Sequence, residues 1–589
     1  MSVLLLLAVS CSGNLDFFGG GGNDPFPGGG DDPSNQNNSS APAETSPSYS
    51  GIKPDDGSSS DDNVANTTFD GEIKVVFNGS AAAVTGSVDG VSADVNGADV
   101  VLTNDGDKTV RYILSGTSDD GSFKLYSSKK QAIVLKDLTL HSGIGAALNN
   151  QSKKRTFVVL EGSSTLSDCE TGSSGDYPSE TSDEDMKAAF FSEGQLIFSG
   201  GGTLTVSAVG KAGITSDDYV RFMTGPTLKV SSSKGHGIRG KDAIILSGGT
   251  VEVTVESGAT GKKCFTTDSL VYVTGGAATL TNKASAGTVD SETTGAACIK
   301  ADKNFVIQGG TLTLAASGKG CKCISGDATG YFEGGTVTAK ATGSNYGSGS
   351  SNRPGSSSDD STSSKAVKFD GNLEFSGADV IASSSSHEAI ESKGTIYISG
   401  GTVCASSSDD AINSSSTLTI SDGIVYAYST GNDGLDANGN LIIKGGTAYA
   451  IGCGSPEVAI DANTEQRYKF YLQAGNVIAL GGIESGSSVS QAMISSSWNR
   501  STVYTLCDGD KALFTFKTPL SGGSGMYMSA PSLVSGTKYS LITGAAVSGA
   551  KTYFDGVLSI GGTASGGTSS TVSASTYSSG GGNSGFGGR

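Results

Sequence analysis

Histidine and tryptophan are nearly missing from this 589-residue chain, which has three of the first and one of the second. With His141, His236 and His387 alone, and no paired Cys-x-x-Cys spacing among nine cysteines, a zinc site lacks its usual ligands. No motif supports Ser/His/Asp catalysis. Aromatics make up 7% and hydrophobic residues 36%, against 88 glycines, a balance that argues against a set of compact mixed domains and for something repetitive. No long amphipathic helical stretch occurs, and past the first residues no apolar run could span a bilayer. Positive charge is also short: 39 Lys and Arg against 58 Asp and Glu leave a net charge of -19, which disfavours nucleic acid and anionic membranes and makes cations natural partners.

What is present begins with MSVLLLLAVSCSG, residues 1–11 of which resemble the signal peptide and lipobox of a bacterial lipoprotein. That reading predicts export, with Cys11 lipidated and a lipid anchor as the sole membrane contact, at the outer membrane or cell surface. Residues 12–68 are Gly, Asp, Asn, Ser and Pro with little apolar content, and read as a disordered tether. Apolar alternation starts at Phe69, so residues 69–569 are predicted as one elongated β domain with a C-terminal cap, followed by a Gly/Ser-rich tail over 570–589.

Within that domain a repeat recurs. HGIRGKDAIILSGGTVEVT, EAIESKGTIYISGGTVCASSS, DAINSSSTLTISDGIVYAYST and DGLDANGNLIIKGGTAYAIG share one register: a small residue, an aliphatic anchor, a polar turn, a strand, a Gly-containing bend and a second strand. The anchors Ile214, Ile238, Phe265, Ile299, Ile324, Val367, Ile390, Ile412, Leu435 and Ile460 are mostly 22 to 27 residues apart, and Leu148 and Phe190 look like earlier members. Neither strand of a unit buries its apolar side alone, whereas stacked turns of chain set each anchor on the last. The fold predicted is an all-β, parallel β-helix, a solenoid with coils of about 22–27 residues, right-handed by the chirality of parallel crossovers.

With the repeat in register, HGIRGKDAIILSGGTVEVT, SSSDDAINSSSTLTISDG and GNDGLDANGNLIIKGGT resemble a bacterial family of carbohydrate-binding β-helix proteins whose fold is similar to that of pectate lyases. The resemblance runs from about Phe69 to Ser569. It implies bound calcium and affinity for cellulose or pectin-like glycans.

The residues themselves also suggest a cation. Two positions before the anchor, consecutive coils carry Glu388, Asp410 and Asp433; one position after it they carry Glu391, Asn413, Asp436 and Asp461. Strands about 4.8 Å apart bring these like charges together, and calcium accepts an irregular cage of carboxylate oxygens. Asp409 and Asn438 are candidate further ligands. In earlier coils the same column holds Lys263, Lys322 and Lys365, with Arg239, Lys300 and Lys368 nearby. Since a Lys or Arg serves as base in the pectate lyases this fold resembles, a calcium-dependent polysaccharide lyase is one alternative; a structural or adhesive surface protein is another. For sugar rings, Tyr426 and Tyr449 share an outward strand position and, with Tyr428, make a candidate stacking strip. Cys264, Cys298 and Cys323 directly precede anchors and read as small buried hydrophobes. The function predicted is calcium-dependent binding of polysaccharide by a monomeric, surface-anchored protein, with no catalytic residue assigned.

Overall fold

A computed structural model describes residues 48–51, 60–289, 292–347 and 362–577. Cys11 lies outside the described residues. Among these the chain is built from strands, with 3-10 turns as its helical elements, and no helix is long and apolar enough to cross a membrane. It divides into two compact units, Pro47–Val403 and Cys404–Arg589 together with Met1–Ser46.

The first unit is a parallel β-helix. One coil runs through strands Ala212–Ser216, Tyr219–Phe222 and Thr227–Ser232, and the next through Ile238–Gly240, Ala243–Leu246 and Thr250–Val255. The anchors pair in the register that the sequence repeat implies: Leu148, Phe190, Ile214, Ile238, Phe265, Ile299, Ile324, Val367 and Ile390 each lie opposite the next. All are buried. The strand after the Gly bend alternates in and out, so that Val230, Val253, Leu280 and Leu314 stack into a second inward column. Each such side chain contributes about 1.5–3 kcal/mol by leaving water, and none achieves this without the coil beside it.

Glycine at the bend is required by geometry. Gly310 has φ +81, and a Cβ there would stand 2.7 Å from the carbonyl oxygen of Gly275 in the preceding coil. The opening edge is closed by two antiparallel hairpins, Gly71–Asn78 with Ala81–Thr85 and Val91–Asn96 with Asp99–Asn104, which cover an edge that would otherwise pair with another chain.

In the second unit, strands Leu418–Ser429, Leu441–Ile451 and Phe470–Leu480 stack in parallel, and the anchor column runs from Ile412 through Leu435 and Ile460 to Ile483. Parallel pairing ends at Ser488–Val489. Beyond it the chain forms an antiparallel sheet between Val503 and Ser573. The switch is local: VYTLC and ALFTFK flank Asp508-Gly509-Asp510, and Gly509 takes φ +63 to turn the hairpin.

Two boundaries shift. Most of residues 570–577, assigned to the tail, lie in strands Thr568–Ser573, which pairs with Lys538–Thr543, and Ser575–Thr576, which pairs with Ala492 and Met493. The end of the expected tether is docked on the first unit: Tyr49 and Asp62 are 8% and 6% exposed, held by aromatic and arginine partners.

Candidate functional site

Charged residues on the anchor-bearing sheet fall into distinct groups. In the first unit, Lys263 pairs across to Ala297 and Ala297 to Lys322, while Lys300, Ser325, Lys368 and Glu391 follow in register one residue past the anchor. These lysines line a cleft of about 380 Å³. Lys300 pairs with Asp327 and Lys368 with Asp370. Lys322 Nζ donates to Thr362 Oγ1 at 2.6 Å, and no carboxylate pairs with Lys263 or Lys322 among the described residues. Burial, then repulsion from Lys262 and Lys300, pushes the Lys263 ammonium down to about 8; burial with Lys365 and Lys368 does the same to Lys322, also to about 8. The cleft therefore holds two cations for which a bound anion would relieve strain in charge.

At the edge of this cleft the expected calcium column meets a protein cation instead. Lys365 Nζ lies 2.9 Å from Glu388 Oε2 and 2.5 Å from Glu391 Oε2, and Lys393 holds the other oxygen of Glu391. Burial would raise the Glu388 carboxyl, but His387 and Lys365 outweigh it and hold it down at about 2. The charge compensation expected of a metal at Glu388 and Glu391 is thus supplied by an ammonium. Aspartates that follow the anchors in earlier coils also find basic partners: Asp268 accepts from both Arg239 Nη1 and Nη2 at 2.8 Å.

The second unit differs. One carboxylate oxygen each from Asp433, Asp436 and Asp461 lie within 4.8 Å of one another. The register explains the convergence: Leu435 pairs with both Ile412 and Ile460, so the residues flanking three anchors share one surface patch. Asn413 Nδ2 bridges Asp410 Oδ2 at 3.0 Å and Asp436 Oδ2 at 2.9 Å. Asp410 Oδ1 accepts the Asp433 N–H at 3.0 Å, and Asp433 Oδ1 the Val458 N–H at 2.6 Å. Burial first, then Asp410, Asp461 and Glu457, pushes the Asp433 carboxyl up to about 9. Burial and Glu484 take Asp461 to about 7. An all-oxygen donor set under this much mutual repulsion fits a hard cation such as calcium. Asp409 sits beside it, accepting from Asn432 Nδ2 at 3.0 Å; Asn438 occupies the turn, its N–H on Ser414.

Glu484 was legible in the sequence and is absent from the candidate ligands. Ile483 is one more anchor, 23 residues beyond Ile460, which puts Glu484 in the same post-anchor position as Asp461.

The tyrosine strip is corrected. Tyr426 and Tyr449 do leave the helix face, yet they are 4% and 0% exposed because the antiparallel sheet of the same unit covers them. Tyr449 packs edge-on against Phe516 at 5.5 Å and donates its hydroxyl to the Lys517 carbonyl at 2.9 Å. Tyr426 lies 5.8 Å from Phe554. Tyr428 is half-buried, its hydroxyl 2.9 Å from Ser521 Oγ. Cys264, Cys298 and Cys323 are buried free thiols, as their position before the anchor suggested.

No curated protein matches the chain. A solved polysaccharide lyase-like protein from C. thermocellum, a gadolinium derivative, is similar at 20% identity with a TM-score of 0.34, over 43% of this chain and 94% of that one. A family model described as carbohydrate-binding domain-containing protein matches residues 96–434, more than half of the 589. With a parallel β-helix whose surface carries a basic cleft and a carboxylate cluster, the chain belongs to this carbohydrate-binding family.

Proposed function

We propose that the protein binds acidic, pectin-like polysaccharide, or cellulose, in a calcium-dependent way. The observation that carries the calcium is the group of Asp433, Asp436 and Asp461, whose oxygens converge within 4.8 Å. Calcium bound there would be held by these carboxylates, with Asp410 and Asn413 orienting them. It would supply a fixed positive charge that neutralises the patch and offers open coordination positions to glycan oxygens. In the first unit, Lys263 and Lys322 offer ammonium groups to uronate carboxylates, which favours acidic over neutral chains. A lipid anchor at Cys11 would display the domain on the outer membrane or cell surface. A glycan array probed with and without chelator tests this reading: binding to pectin-like glycans or cellulose, stronger for the acidic chains and lost on chelation, is expected. Binding indifferent to both conditions would remove it.

A polysaccharide lyase is favoured by one observation, that Lys263 and Lys322 titrate near 8 inside a cleft. A neutral amine there is available to take a proton from a uronate. Absorbance of an unsaturated uronide on incubation with polygalacturonate distinguishes this activity from binding.

A further inference from the structure

The strand of the first unit that follows each polar turn has an unusual outer row. Outward positions in register are Ile197, Arg221, Ile245, Tyr272, Val306 and Tyr331, all but Arg221 apolar or aromatic where a solenoid surface is normally polar. Part of this row is covered by the N-terminal segment. Tyr49 sets its ring 5.2 Å from that of Tyr331 and 6.3 Å from that of Tyr272, with its backbone N–H on Glu333 Oε1 at 2.9 Å. Further along, the Asp62 carboxylate is gripped from three sides: Arg155 Nε at 2.8 Å, Tyr219 hydroxyl at 2.6 Å and Arg221 Nη1 at 3.0 Å. Arg221 is 2% exposed, a guanidinium built into the wall and pointed at a carboxylate more than 150 residues away in sequence. Tyr49 and Asp62 both line a cavity of about 700 Å³, in the range of ligand sites, whose wall also includes Arg155, Arg221, Ile245 and Lys303.

A carboxylate on paired guanidinium groups, followed by a flat ring on aromatic side chains, is the chemistry that recognises an oligouronate. Arg221 and Tyr331 are four rungs apart, about 19 Å at the strand spacing, a span of several sugar rings. We infer that this groove is a subsite for an acidic oligosaccharide, and that Asp62 and Tyr49 occupy it in place of a uronate carboxylate and a pyranose ring. The inference rests on the acidic-glycan reading above but uses a different face and different residues. Binding then requires Tyr49 and Asp62 to give up these contacts, so the apparent affinity is reduced according to the fraction of molecules in which they occupy the groove. The Asp62 carboxylate is an acceptor for Arg155, Tyr219 and Arg221 that an incoming uronate carboxylate replaces.

The test is calorimetric titration of the full chain with trigalacturonate, comparing wild type, Asp62→Ala and Asp62→Ala with Arg155→Gln. Asp62→Ala is expected to bind about tenfold or more tightly than wild type, and the added Arg155→Gln to cancel that gain. Free galacturonate is expected to raise the melting temperature of Asp62→Ala more than that of wild type. Should Asp62→Ala be poorly folded, hydrogen exchange on wild type gives the same information, since saturating trigalacturonate should deprotect residues 60–69. Wild-type binding of polygalacturonate that neither Asp62→Ala nor Arg155→Gln alters, with exchange at 60–69 unchanged, overturns the subsite and leaves the acidic-glycan reading standing. Absence of any polygalacturonate binding by all three proteins overturns both.

Discussion

Lys365 and Glu391 stand on neighbouring coils, one two residues before its anchor and the other one residue after, and their side chains meet at 2.5 Å with 8% and 2% exposure. The same pair of positions two steps along the repeat, in the second unit, holds Asp410 and Asp436, bridged by the Asn413 side-chain amide. A single geometry therefore yields an internal ion pair in one place and an acidic cluster in the other, and the difference is the sign of one residue.

Removing that one charge is expected to be costly. Lys365→Met leaves Glu388 and Glu391 buried without their shared counterion, and breaking a buried pair from one side costs about 3–5 kcal/mol. Equilibrium unfolding of the variant should show this loss. Combining it with Glu388→Gln and Glu391→Gln should restore much of it, since the uncompensated charges are then gone.

Calcium should stabilise the protein, because a site assembled from neighbouring coils binds the folded stack and not the unfolded chain. At a hundredfold excess over Kd the gain is about 2.7 kcal/mol, visible as a rise in Tm against chelator. Asp433→Asn together with Asp461→Asn should abolish most of that rise. A full calcium response in the double variant would place the ion elsewhere.

The same carboxylates set a pH dependence. Asp433 and Asp461 are raised from 3.8 to about 9 and about 7, so the folded state holds their protons more tightly than the unfolded chain does. Their contribution is complete below about pH 4 and is lost as the pH rises through about 7 for Asp461 and about 9 for Asp433. In chelator, Tm should decline from pH 5 to pH 9, and less steeply in Asp433→Asn. Because the ion binds the deprotonated form, calcium affinity should rise over that interval.

In the lysine cleft, Lys263→Gln or Lys322→Gln should weaken binding of polygalacturonate by about 1.5–3 kcal/mol, the range for hydrogen bonds to charged groups. Affinity for a neutral glucan should not change. Titrations at two salt concentrations would check the assignment, as the loss should shrink when salt screens the pair.

Tyr449→Ala should act on stability alone. The ring is fully buried against Phe516, and truncating a buried aromatic costs about 3–5 kcal/mol. Glycan affinity of the folded fraction should stay at the wild-type value.

The coil repeat was determined by sequence alone, because stacking demands one apolar residue per turn at a fixed place; anchors from Leu148 to Ile460 could be read from spacing, and the pairing follows them. Continuing that spacing would also have reached Ile483 and Glu484. The approach of Asp436 and Asp461 was readable for the same reason, since residues one place past successive anchors must be neighbours, and Asp433, two places before the anchor of Asp436, joins them in the fold. What covers the helix was decided only by tertiary structure. Outward Tyr449 looks the same in sequence whether water or Phe516 lies beyond it, and a Gly/Ser-rich segment gives no sign that Asp62 will find Arg221. Repeat periodicity reports contacts one coil away, whereas those partners lie 67 and 159 residues off along the chain, beyond any period the sequence displays.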